Sequence, residues 1–349
     1  MRKIVIALVA LCFTACATAP TSAGKKASEE PAWFSNPSAV YPDNQYVSAV
    51  GYGKDREDAG KNALGALVSV FGQSVKGSTT VSSRYSQAVK NGILTDSSED
   101  SAIDRSVDTS YDFDTLIGAE VKDVWYNQRD NTTYAVAVLD KLKALQVYSD
   151  LIDKNEKTIT RLIAVPEAEL YTFDAYARYD LAATIADSNE TFLNLLSVIS
   201  PATASMKRTE ASTGDKFRLE CVKIAQEIPV DVVVSGDSEG RIQSAFSSVF
   251  TEVGFKTGDT GSRYQLDVTV SLSDVKLPKN QNKFTRYVVD AKLTDTTTSM
   301  VIFPYSVNGR EGHATQEEAN NRAIRTAEKK IEDDYKDQFE DFLSQLIIE

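Results

Sequence analysis

Histidine, cysteine and basic charge are what this chain has least of. His313 is the only histidine in 349 residues, beside three cysteines and two tryptophans. A lone histidine rules out zinc clusters built from histidine pairs, and it makes any Ser-His-Asp or Cys-His arrangement depend on that one residue. It stands in Asn308-Gly-Arg-Glu-Gly-His313-Ala-Thr315, the polar approach to a helix, which predicts a solvated loop position. No nucleophile elbow, P-loop or HExxH sequence occurs. Gly51-Tyr52-Gly53 follows a strand pattern and precedes a helix, but the third glycine of a dinucleotide fingerprint is missing. Lysine and arginine total 38 against 50 aspartate and glutamate, a formal charge of −12. That balance opposes nucleic acid and anionic lipid surfaces as partners.

The cysteines divide by position. Residues 1 to 16 read as a basic head (Arg2, Lys3), an apolar run from Ile4 to Phe13, and Thr14-Ala15-Cys16. This is the layout of a bacterial lipoprotein signal. The run is well short of the ~20 residues that span a bilayer as a helix, so removal is expected, with Cys16 left as the first mature residue. Its thiol can take a diacylglyceryl group and its freed amine an acyl chain. At ~0.8 kcal/mol per buried methylene, more than one chain anchors a protein stably. Phe13 departs from the usual leucine three residues before the cysteine, and Leu11 is too large for a cut before Cys12. The alternative is an ordinary secretory signal cut near Ala15 or Ala17, with Cys16 incidental. Loss of Arg2 and Lys3 with the signal takes the charge from −12 to −14, so lipid rather than charge must hold the protein to a membrane. Cys221 then has no intramolecular partner. In Phe217-Arg-Leu-Glu-Cys221-Val-Lys-Ile224 it is expected to be a small buried hydrophobe, not a nucleophile.

Residues 16–30 are small and polar, which suits a flexible tether. The fold class expected beyond it is α+β: two small units of antiparallel sheet packed by alanine-faced helices, joined by a helical connector. The first unit spans 31–150. Pro31-Ala-Trp33-Phe34 predicts an aromatic pair packed over its edge. Tyr46 to Gly53 alternates as a strand, and Asp55 caps a helix with Ala59, Ala63, Ala66, Leu67, Val70 and Phe71 on one face. Residues 76–118 read as a strand and a partly helical excursion. Asp96, Glu99, Asp100 and Asp104 there lack EF-hand spacing and read as a solvated acidic loop. Glu120–Tyr126 and Thr133–Leu139 form a hairpin, and Asp140 caps a helix carrying Leu142, Leu145, Val147, Leu151 and Ile152. Residues 151–228 form the connector, punctuated by Pro166 and Pro201.

The second unit spans 229–349. Val230–Val234 is a strand, 241–253 a helix, and 264–272, 284–293 and 300–307 are successive antiparallel strands. A long helix closes the chain from Thr315 to Ile348, opened by the capping box Thr315-Gln-Glu-Glu318. Its Ala319, Ala323, Ala327 and Ile331 echo the first unit's alanine face, compatible with a weak internal duplication.

At Pro31-Ala-Trp33, Tyr46 to Gly53, the alanine-spaced helix, and Leu116-Ile-Gly118-Ala-Glu-Val-Lys-Asp-Val-Trp125 leading into Thr133 to Asp140, the sequence resembles the LPP20 lipoprotein family. The resemblance covers roughly residues 31 to 150. It implies a lipoprotein of the Gram-negative cell envelope, commonly on the outer membrane, some relatives being accessory parts of the flagellar apparatus. It carries over no catalytic residue. Ala17, rather than aspartate, after Cys16 favours the outer membrane under the sorting rule of enteric bacteria. The functional expectation is a non-enzymatic scaffold or assembly component with Cys16 as lipidation site. Its partners would be the membrane, through lipid, and envelope proteins; no cofactor or metal is expected. A small-molecule or lipid binder using a cleft between the units, or a hydrolase working through carboxylates alone, are the alternatives.

Overall fold

The computed structural model describes residues 29–72, 79–94, 116–258 and 261–347, with the side chains of 79–82 left out. The chain begins with a short helix α1 (Ala32–Ser35), strand β1 (Tyr46–Gly53) and helix α2 (Arg56–Val70). Helix α3 (Thr79–Lys90), strands β2 (Ala119–Asn127) and β3 (Thr132–Asp140) and helix α4 (Lys141–Ile163) follow. Asp55 opens α2 by accepting the Glu57 and Asp58 N–H groups, and Asp140 opens α4 by accepting those of Leu142 and Lys143, all at about 3 Å. Both caps satisfy amide groups that a helix start leaves unpaired.

The first sheet is antiparallel in the order β1-β3-β2. Central β3 is buried on both faces. Ala135, Ala137 and Leu139 join Ala59, Ala63 and Leu67 of α2 in the first core, while Val136 on the other side meets Trp33 and Trp125. The Trp33–Phe34 pair therefore covers a sheet face rather than an edge, and Trp33 Nε1 donates to Asp123 Oδ2 at 2.8 Å. The alanine face works because β1 is equally bare. A Cβ at Gly51 would lie 2.0 Å from the Ala63 nitrogen, and one at Gly53 2.5 Å from that of Ala59. The expected face of α4 is partly corrected: Leu142 is 76% exposed and Tyr148 takes the core position instead. Its hydroxyl accepts the Ile117 N–H at 3.0 Å.

Helices α5 (Phe173–Ile199), α6 (Pro201–Glu210) and α7 (Gly214–Gln226) come next. Pro201 occupies the first turn of α6, where its missing N–H costs nothing. Helix α4 runs without a break through residue 150, and α4 and α5 contribute to the same core as the first sheet.

The second sheet comprises β4 (Pro229–Ser235), β5 (Lys256–Thr257), β6 (Tyr264–Val275), β7 (Lys283–Asp295) and β8 (Met300–His313), in the order β5-β4-β6-β7-β8. It is mixed. The β6-β7-β8 meander is antiparallel, but β4 lies parallel to both its neighbours. Parallel neighbours need a crossover, and between β4 and β5 helix α8 (Arg241–Val253) supplies it. Helix α9 (Gln316–Lys330), a π turn (Ile331–Tyr335) and helix α10 (Lys336–Gln345) complete the core. The closing helix is thus interrupted where a continuous one was expected. Ala319, Ala323, Ala327, Ile331, Tyr335, Phe339 and Leu343, four residues apart throughout, are all buried. At 3.6 residues per turn a four-residue step drifts by about 40°. The wider π turn falls in the middle of this stripe and takes up part of that drift.

The bare β1 surface makes a paired prediction. Gly51→Ala should destabilise the protein by several kcal/mol, because backbone must move to admit the methyl. Gly65→Ala, exposed in α2 with open space around its Cβ position, should stabilise by about 0.5–1 kcal/mol. Urea denaturation followed by circular dichroism measures both.

Candidate functional site

Cys16 and the acidic group Asp96, Glu99, Asp100 and Asp104 lie outside the described residues. Cys221 sits buried on α7, its Sγ 3.8 Å from the Tyr176 carbonyl oxygen. Burial above all, with Asp180 adding to it, pushes its thiol up to about 12. A thiol so protonated at neutral pH is a poor nucleophile. His313 is the last residue of β8, paired with Lys283, so the ladder extends into what the sequence suggested was loop. Its Nδ1 accepts the Thr315 N–H at 3.4 Å and lies 3.3 Å from the Thr315 hydroxyl that caps α9. Gly51 and Gly53 face a helix backbone, not a phosphate site.

A buried polar chain was not legible in the sequence. Tyr85 Oη donates to Asn155 Oδ1 (3.0 Å), Asn155 Nδ2 to Asn189 Oδ1 (2.7 Å), and Asn189 Nδ2 to Glu156 Oε1 (2.8 Å). Ser212 closes the chain with its N–H and hydroxyl on the two Glu156 oxygens. The chain links α3, α4, α5 and the approach to α7. Every member is satisfied, so it orders the helices and presents no free group for chemistry. Only the asparagines at Asn155 and Asn189, placed mid-helix where they are poor formers, could have signalled it.

Among the described residues, two buried side-chain atoms lack partners: Arg84 Nε and the Tyr335 hydroxyl. Arg84 still reaches Asp180 Oδ2 at 2.7 Å through its terminal nitrogen. Tyr335 is enclosed by Phe246, Phe250, Phe303, Tyr305 and Phe339, and that burial raises its hydroxyl pKa far above the ordinary value.

Carboxylates do meet at one cleft of about 200 Å³, lined by Asp237, Glu239 and Glu317 with Asn320 and Asn321. Asp237 is already committed there, since its two oxygens accept the Arg241 and Gln243 N–H groups at the start of α8. A larger concavity of about 720 Å³ is an open shelf on the outward face of β6-β7-β8, formed by Asp267, Thr269, Asp290, Lys292, Pro304 and Ser306. Ser306 Oγ donates to Asp290 Oδ1 at 2.6 Å. On the first sheet the corresponding surface is aromatic: Phe34 lies 4.7 Å from Tyr134 and 4.9 Å from Trp125, and Tyr52 beside them is 67% exposed. Aromatic area of this kind, with polar rims, suits contact with another macromolecule.

Two outcomes follow. Tyr335→Phe removes an unsatisfied buried hydroxyl and should raise stability by about 1 kcal/mol in urea titration. Cys221 should resist iodoacetamide in the native protein and label fully in urea, read residue by residue by mass spectrometry. Rapid native labelling would contradict the buried, protonated thiol.

Comparison with known proteins bears out the resemblance read from the sequence: the LPP20 lipoprotein family model matches residues 31–140, less than half of the chain. No curated protein gives a significant match. Among solved structures, a secreted protein from Helicobacter pylori is similar at 14% identity, covering 82% of this chain and 97% of its own, with a TM-score of 0.40. A minor lipoprotein from Acinetobacter baumannii is similar at 15% identity over 33% of this chain and 90% of its own, TM-score 0.26. A lipoprotein from Neisseria meningitidis is similar at 11% identity over 29% of this chain and 96% of its own, TM-score 0.22.

Proposed function

We propose that this protein is a non-enzymatic lipoprotein of the bacterial cell envelope, anchored through acyl chains on Cys16, that works by binding other proteins as a scaffold or assembly component. The observation that carries the reading is the LPP20 lipoprotein match over residues 31–140 downstream of a lipoprotein-type Cys16. The exposed aromatic face beside Trp33 and the open face of the second sheet supply contact area for partners. Its destination is the outer membrane, in keeping with Ala17 after Cys16. Attachment depends on lipid because a mature chain of charge −14, the full −12 less Arg2 and Lys3, gains little from an anionic bilayer. A role as flagellar accessory is the narrower form of this reading, and a deletion strain that swims and builds flagella normally would remove it.

Cys16→Ala should shift the protein from the membrane to the soluble fraction and abolish incorporation of a clickable palmitate analogue. Proteins that co-purify with the lipidated form should be lost with it. A Cys16→Ala protein that stays in membranes and keeps its partners would sink the anchoring role.

A further inference from the structure

Among the described residues, strand β8 is hydrogen-bonded to a strand on one side only, to β7, and forms one edge of the second sheet. Pro304 fixes which of its backbone groups are free. Proline has no N–H and is accommodated in an edge strand where that position faces away from the neighbour. Orientation alternates along a strand, so the N–H groups of Ser306, Asn308, Arg310 and Gly312 point the same way. No turn or loop hydrogen bond among the described residues occupies them. The usable stretch is bounded by Pro304 at one end. At the other, Arg322 donates to the Gly312 carbonyl at 3.3 Å.

The same stretch carries charge of the rarer sign. Arg286 on β7 pairs directly with Arg310 on β8, an arrangement of like charges that weakens a sheet unless something neutralises it. Lys276 and Lys279 lie in the β6–β7 connection; all four are exposed. None of them forms an ion pair among the described residues; Arg310 instead lies over the Phe284 ring at 5.6 Å. The acids nearby are engaged or turned away: Asp290 holds Ser306, and Glu311, on the opposite face, accepts from Thr326. Asp274 is paired with buried Thr285 and shares that opposite face. A basic row is therefore maintained beside an open strand edge in a chain with 50 acidic and 38 basic residues.

We propose that the β8 edge between Ser306 and Gly312 takes an extended acidic segment of a partner protein as a sixth strand. Its backbone would pair with Ser306, Asn308 and Arg310, and its carboxylates would lie over Arg286 and Arg310. This deepens the protein-binding reading above by naming the partner's chemistry, and it does not depend on Cys16.

The test uses the full-length protein in detergent with a fluorescent peptide of alternating glutamate and valine, and a lysine–valine peptide as control. The acidic peptide should bind at least about tenfold tighter than the basic one and weaken as salt rises. Arg286→Glu with Arg310→Glu should lose binding by about tenfold or more, as should Asn308→Pro, which removes one edge N–H. Hydrogen exchange on the unmutated protein gives a readout independent of variant folding: the acidic peptide should protect the Ser306, Asn308 and Arg310 amides. No protection, equal binding of the two peptides, or full affinity in a folded Asn308→Pro protein would overturn the proposal. So would a dimer that Asn308→Pro converts to monomer, since the occupant would then be a second copy. Such a failure leaves the scaffold reading standing, because that is judged by Cys16-dependent co-purification.

Discussion

The structure depends most on one helix that belongs to two cores. Phe173, at the start of α5, is buried in the second core, stacked on Tyr264 with centroids 3.9 Å apart and edge-on to Phe255 and Phe339. Its backbone N–H donates to the Tyr264 hydroxyl at 3.1 Å. Farther along the same helix, Leu181, Ile185, Phe192 and Leu196 belong to the first core. A helix buried on nearly every side has no solvent face to rotate towards. Arg263 adds a polar tie close by, donating to Asp295 in the second sheet and to Glu169 just before α5. The link is therefore a packed element and not a hinge, and loosening Phe173 would disturb one core while the polar chain around Asn155 and Asn189 held the other end in place.

How much of this could be read beforehand follows from how local the determining physics is. Strands whose alternation is set by a one-sided core, such as Tyr46–Gly53 and the β6-β7-β8 meander, were visible, as were the caps at Asp55, Asp140 and Thr315. Each depends on residues a few positions apart. The parallel placement of β4 was not visible, because it is decided by the crossover helix and by the strand it meets thirty residues on. Leu142 was expected inside and is exposed, while Tyr148, four residues before Ile152, fits the same helical period and is the one buried, its hydroxyl meeting the Ile117 N–H. Asn155 and Asn189 look like surface residues until Tyr85 and Glu156 are brought alongside. Of the expected site, Cys221 behaves as the small hydrophobe its context suggested, whereas the basic row at Arg286 and Arg310 exists only in the register of two strands.

The acidic composition acquires a different meaning once mapped onto the sheets. Many ion pairs are exposed helix pairs, such as Lys61–Glu57 and Lys223–Glu220, which contribute little individually. They nonetheless consume basic side chains. The cations beside β8 differ from other cations without an acid in that two of them stand directly opposite each other on neighbouring strands, and a partner would meet them against a background that repels acidic surfaces elsewhere. Orientation, more than affinity, is what such an arrangement supplies.

The stripe that runs in steps of four from Ala319 to Leu343 has a consequence for the chain's reading frame. Because the π turn at Ile331–Tyr335 carries more residues per turn than the helix on either side, it stores one residue's worth of slack. Deleting Glu332, Asp333 or Asp334 would take up that slack: four residues of ordinary helix turn through about 400°, close to what the five residues of the wider turn cover. Phe339 and Leu343 would keep facing the core. The same deletion within α9 or α10 would swing everything after it by roughly 100° and turn the buried stripe outward. A lost codon would therefore be felt less at this turn than in the helices it joins.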